Sequence, residues 1–116
     1  MSEIYDLFQE GRDRLRKGQA AQATVPLEQA KRRAPNKASI REALGIAYFR
    51  IRRWEEAEAE FRKVLELDPV NDYAHYALGR SLEKQGRQHE ANGHYKLASS
   101  LRPERDQYRA RILDLE

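Results

Sequence analysis

Gly11, Gly45 and Gly79 lie 34 residues apart, and the same interval relates Ala23, Ala57 and Ala91 and again Pro35, Pro69 and Pro103. A period of this length that keeps three residue types in register is the mark of stacked helical hairpins, which bury an apolar face only against one another. Few other architectures survive that constraint. The register describes a binding scaffold and is silent on what is bound.

The second repeat shows how each unit is built. Ile40, Ala43, Leu44, Ala47, Tyr48 and Ile51 recur at spacings of three and four, as on an amphipathic helix. After a break at Arg52 and Arg53, a second helix carries Ala57, Phe61, Val64, Leu65 and Leu67 and ends at Asp68, because Pro69 disfavours helix in the residue before it. Asn71 is placed to cap the next helix. The third repeat copies the plan with a turn at Gly86, and the first copies it more loosely with a turn at Gly18. The spacing predicts helices near 2–17, 20–34, 37–51, 54–67, 71–85 and 88–101. Tyr108, Ile112 and Leu115 predict a seventh, over about 104–115, with one apolar face to close the stack. The 116 residues then form one domain, with repeats at about 4–37, 38–71 and 72–105.

Glycine inside a helix costs about 1 kcal/mol relative to alanine. Three at one register imply close helix approach, with alanine expected on the facing helix. Gly93 lies mid-helix outside this register, and periodicity gives it no role.

Leu44, Gly45, Tyr48, Trp54, Ala57, Phe61 and Pro69 resemble the tetratricopeptide repeat almost slot for slot. The resemblance covers about 1–103 and is weakest in repeat one, where Glu10 and Arg14 stand in for the usual leucine and tyrosine. The family's early aromatic slot is also lost, being Leu7, Arg41 and His75. The resemblance implies an all-α, right-handed α-solenoid of three antiparallel hairpins plus the terminal helix. It also implies a concave groove, lined by the first helix of each hairpin, that receives a peptide or helix from another protein. Carried over by slot, the groove positions are Tyr5, Phe8, Arg12, Leu15 and Arg16, then Ser39, Glu42, Ile46, Phe49 and Arg50, then Tyr73, Tyr76, Arg80, Glu83 and Lys84. Chaperone adaptors of the family hold a C-terminal carboxylate with lysines, asparagines and an arginine. Here those slots are Phe8, Arg12, Ala43, Tyr73 and Ala77, so that clamp is lacking.

The groove set is aromatic and basic, which fits a ligand both apolar and acidic, since interfaces draw their energy from buried aromatic and arginine anchors. Phe8 and Phe49 also suit simple packing between repeats. The alternative is self-assembly, as a homo-oligomer or within a larger complex, through end or convex faces. Single-stranded RNA is disfavoured by the near balance of charge, +3 in all, with acidic residues scattered along the same helices.

Catalysis and cofactors find no support. The absence of cysteine removes thiolate chemistry and cysteine metal sites, and no glycine-rich phosphate loop follows a strand. Glu55 with Glu56, and Glu58 with Glu60, are expected on a wet face where paired carboxylates keep their ordinary character. His89 and His94 stand five apart, about 140° around a helix at 100° per residue, so they share no face. His75 occupies a packing slot, and no metal site is expected. No long apolar run suggests a membrane span or a signal peptide, so a cytoplasmic location is expected, although an excised domain or processed precursor would read the same.

Overall fold

The computed structural model describes residues 2–115. Seven helices follow in order: α1 (Glu3–Arg16), α2 (Ala20–Arg33), α3 (Ala38–Arg50), α4 (Trp54–Leu67), α5 (Asp72–Lys84), α6 (Gln88–Leu101) and α7 (Asp106–Ala110). Each packs chiefly on the helix before and after it, and the stack extends 52 Å along its length against 25 and 21 Å across. This is an α-solenoid.

Each hairpin closes in the same way. Gly18, Arg52 and Gly86, again 34 residues apart, adopt φ of 74°, 65° and 80°. The next residue's N–H then donates to the carbonyl five residues back: Gln19 to Arg14 at 2.8 Å, Arg53 to Tyr48 at 2.9 Å and Arg87 to Leu82 at 3.0 Å. That is a Schellman closure, in which left-handed backbone satisfies the last carbonyls of the helix. Arg52 takes this conformation without glycine's freedom. Between repeats, Ala34, Asp68 and Arg102 are pushed out of helical geometry by the prolines that follow. Asn71 caps α5 as expected, accepting from the Ala74 N–H at 3.0 Å.

The glycine register serves a different contact from the one expected. An added Cβ at Gly11 would lie 2.4 Å from Leu27, at Gly45 2.8 Å from Phe61 and at Gly79 2.5 Å from Tyr95. Each glycine therefore seats a large side chain 16 residues later, four beyond the buried Ala23, Ala57 or Ala91. Alanine does not fill the crossing. Gly93 meets nothing within 4 Å.

The repeats are joined by polar contacts. Lys31 bridges Glu28 at 3.0 Å and Glu60 at 2.9 Å, and Arg41 reaches Glu60 at 3.0 Å. Glu60 is thus buried rather than wet, because two cations accompany it out of water. The second junction pairs Arg62 with Glu90 and Arg87 with Glu58. Pro26 sits buried inside α2, an interruption absent from the other helices.

The terminal helix is shorter than 104–115. Tyr108 is fully buried, but helix ends at Ala110. Beyond it, the Asn92 side chain donates to the Leu113 carbonyl at 2.7 Å and accepts from the Leu113 N–H at 3.1 Å. With its backbone satisfied by α6, this segment no longer needs helical hydrogen bonds.

Candidate functional site

The first helix of each hairpin contributes one wall of a continuous groove. Phe8, Arg12, Leu15 and Arg16 of α1, Glu42, Ile46 and Arg50 of α3, and Tyr73 of α5 line a cavity of about 500 Å³. Adjoining it, Ile46, Phe49, Arg50, Tyr73, Tyr76 and Arg80 line a second cavity of about 140 Å³, floored by Phe61 and Ala77. Ile46, Arg50 and Tyr73 border both. The slot pattern thus brings twelve of the fifteen groove positions read from sequence to these two cavities, all but Tyr5, Glu83 and Lys84, and Glu83 instead accepts from the Tyr95 hydroxyl. Tyr5 borders a neighbouring depression with Phe8 and Arg12. Lys84 lies apart, its ammonium 5.6 Å from the Trp54 ring.

The aromatics both pack and present a surface. Phe8 rests on the core of the first two hairpins, while Phe49, Tyr73 and Tyr76 rest on that of the second and third. Tyr76 stands 5.1 Å from Tyr108 and 5.9 Å from Tyr95, which fixes its ring while leaving one side on the groove.

Arg12, Arg50 and Arg80 are held by their flat faces and their edges, without carboxylates. Arg12 lies 5.5 Å over Phe8, and Arg80 5.3 Å over Phe49. Arg50 donates to the Leu15 carbonyl at 2.9 Å, tying α3 to the end of α1. Arg80 also donates to the Tyr76 hydroxyl at 3.4 Å, yet its Nε is buried and has no hydrogen-bond partner. Among the described residues Arg12, Arg50 and Arg80 form no ion pair, whereas Arg53, Arg62, Arg87 and Arg102 on the outer surface all do. Arg16 pairs with Asp13.

Glu42 is the carboxylate in this basic setting. Burial raises its pKa above the usual range, and Asp72 adds to the effect. Burial likewise raises the Tyr73 hydroxyl, helped by Glu42 and Tyr76. The groove therefore has a cationic end around Arg50 and Arg80 and a weak acidic spot at Glu42.

On α3 and α5 the polar residues of the lost aromatic slot share one task. Arg41 Nε donates to the Pro35 carbonyl at 2.8 Å, and His75 Nε2 lies 3.0 Å from the Pro69 carbonyl. His75 also meets His94, a pairing that sequence spacing did not suggest because the two sit on different helices. Among the described residues no group of three or more His, Cys, Asp or Glu is placed to hold a metal, and no helix is long and apolar enough to cross a membrane.

A family model of the tetratricopeptide repeat matches residues 8–72 and again 42–105. The chain belongs to the tetratricopeptide repeat family. A comparison with curated proteins finds no match. Among solved structures, the first TPR of Spaghetti (RPAP3) bound to HSP90 peptide SRMEEVD superposes with a TM-score of 0.90 at 17% identity, covering 95% of this chain and 87% of that one. MamA superposes at 0.92 with 22% identity over 94% of this chain and 64% of that one. A Thermobaculum terrenum O-GlcNAc transferase superposes at 0.84 with 21% identity, this chain spanning only 21% of its length. At these identities the likeness is one of fold, and the tetratricopeptide repeat here carries its own groove residues.

Proposed function

We propose that this chain is a non-catalytic interaction module that holds a peptide or helix of another protein in its concave groove. The partner segment carries large apolar side chains for Phe49, Tyr73 and Tyr76 and a carboxylate for Arg50 and Arg80. The observation that carries the reading is that Arg50 and Arg80 have no carboxylate partner and border the groove beside aromatics that are fixed from behind and open in front. A ligand carboxylate in the groove would bond the accessible guanidinium nitrogens, and such charge-assisted hydrogen bonds are about twice as strong as neutral ones. The peptide held by the Spaghetti domain supports groove capture in general. Phe8, Arg12, Arg16, Glu42 and Ile46 extend the contact toward α1, while Tyr5 and Lys84 stand at its margins.

Peptides selected from a displayed random library on the wild-type chain should be enriched in Asp or Glu beside Leu, Ile or Phe. A fold-intact Arg50→Gln, Arg80→Gln variant should lose them. Selection without acidic enrichment, or equal retention by the variant, overturns the reading. A second reading, assembly through the end of the stack, is supported by exposed Leu97, Leu101 and Leu113. Light scattering across a concentration series tests it, and a constant monomer mass refutes it.

A further inference from the structure

His75 and His94 meet on the side of α5 that faces away from the groove, where a cavity of about 430 Å³ is bordered by Arg62, Leu65, Glu66 and Pro69. The Pro69 carbonyl can only accept, so the His75 Nε2 beside it carries the proton and its Nδ1 is left with a bare lone pair. That Nδ1 lies 3.2 Å from Nδ1 of His94. The ring centroids are 5.4 Å apart, longer than the Nδ1 separation by about two ring radii, so the imidazoles meet edge to edge with their Nδ1 atoms directed at one another.

We propose that this pair binds one divalent transition-metal ion, zinc or copper, held by both Nδ1 atoms to one side of the line that joins them, each imidazole turning so that its lone pair converges on the ion. Imidazole nitrogen is the ligand type that both metals favour. Tetrahedral zinc with Zn–N bonds of about 2.0–2.1 Å sets neighbouring ligand atoms about 3.3 Å apart, close to the separation already present. His75 has the outer hydrogen bond that typically orients a ligating histidine, its far N–H being fixed on a backbone carbonyl.

One tautomeric change completes the site. In the metal-free pair the His94 Nδ1–H donates to His75 Nδ1. When the ion enters, that proton moves through solvent to His94 Nε2, which has no hydrogen bond within the described protein, and no net proton is released. Arg62 lines the same cavity, and Glu58 and Glu90 hold it at 2.9 and 2.8 Å, which offsets its repulsion of the metal. His94 is only half-buried, so water fills the remaining coordination positions. With two protein ligands the site binds more weakly than a four-ligand structural zinc site, and copper binds more tightly than zinc. The bound ion clips α5 to α6.

The test is calorimetric titration of the untagged chain with zinc chloride, copper sulfate and magnesium chloride at neutral pH. Expected are one equivalent of zinc, tighter copper, no response to magnesium, and a copper resonance spectrum with two nitrogen couplings. His94→Gln should weaken zinc binding roughly tenfold or more while leaving the helical spectrum intact, whereas His89→Gln on the same helix should leave binding unchanged. The Tm should rise with zinc in the wild type and stay flat in His94→Gln. Absence of saturable binding, binding that survives His94→Gln, or binding lost in His89→Gln overturns the proposal.

Discussion

Replacing Gly79 by alanine sets two effects of similar size against each other, and the geometry decides between them. Helix propensity alone favours alanine by about 1 kcal/mol. The new methyl, however, would stand 2.5 Å from Cε1 and 2.8 Å from Cδ1 of Tyr95. That ring is fully buried and held at its far end by the Glu83 carboxylate at 2.9 Å, so it cannot slide away along its own axis. Overpacking costs about 1–3 kcal/mol. Moving the ring also loosens the hydroxyl–carboxylate bond, worth about 1 kcal/mol. The expected net loss is therefore about 1–3 kcal/mol, at about 4–8 °C of Tm per kcal/mol for a domain near this size. Gly93→Ala supplies the control. Its Cβ meets nothing within 4 Å on an exposed stretch of α6, so the same chemical change should stabilise by about 0.5–1 kcal/mol. Urea titrations followed by helical circular dichroism measure both. If Gly79→Ala is neutral or stabilising, the close-approach reasoning fails for all three register glycines.

Three further outcomes follow from the same structure. Arg52→Gly should raise the urea midpoint, by about 1 kcal/mol of relieved left-handed backbone, because the φ of 65° suits glycine and the exposed arginine side chain forms no hydrogen bond or ion pair among the described residues. Asn92→Ala should cost about 1–2 kcal/mol and remove the hydrogen-exchange protection of the Leu113 amide, since both bonds to that residue come from one carboxamide. Alkaline pH should destabilise the fold: burial and the bond to Asp72 push Tyr108 up to about 12, and burial with Glu28 and Glu83 raises Tyr48 and Tyr95 as well. Below the unfolded tyrosine value of about 10 both states keep these protons, and between that value and the folded ones only the folded state does. Stability should hold to about pH 10 and fall progressively across 10–12, and Tyr108→Phe should flatten the early part of that fall.

The six hairpin helices end within one residue or so of the positions read from apolar spacing, because glycine, proline and capping residues act on the backbone locally. The terminal segment does not. Its stripe of Tyr108, Ile112 and Leu115 is helical in pattern, but a side chain from α6 competes for its backbone, and no local pattern reveals that partner. Crossings between helices were equally hidden. The family's slot pattern assigns Tyr73, Tyr76 and Arg80 to one side of α5, where they line one cavity, yet it cannot show that Tyr95 fills the glycine notch. Nor can it show that Glu60 lies between Lys31 and Arg41, or that His75 and His94 touch. The groove was legible as a list of slots, while the unpaired Nε of Arg80 and the grip of Arg50 on Leu15 belong to three-dimensional packing.

Pro26 gives this groove a graded stiffness. Lacking an N–H, it leaves the Gln22 carbonyl without its helical partner and strains the turn around it, at a cost of about 3 kcal/mol that α4 and α6 do not bear. The first hairpin also seats leucine where the others seat Phe61 and Tyr95. Local opening should therefore begin at the N-terminal end, with amides of α1 and α2 exchanging before those of α5 and α6. A partner segment would meet a preformed seat at Tyr73, Tyr76 and Arg80 and an adaptable mouth at Phe8, Arg12 and Arg16. Contacts at the mouth would spend part of their energy quieting the first hairpin, so the length of a bound segment would be reported by how far its protection spreads toward α1.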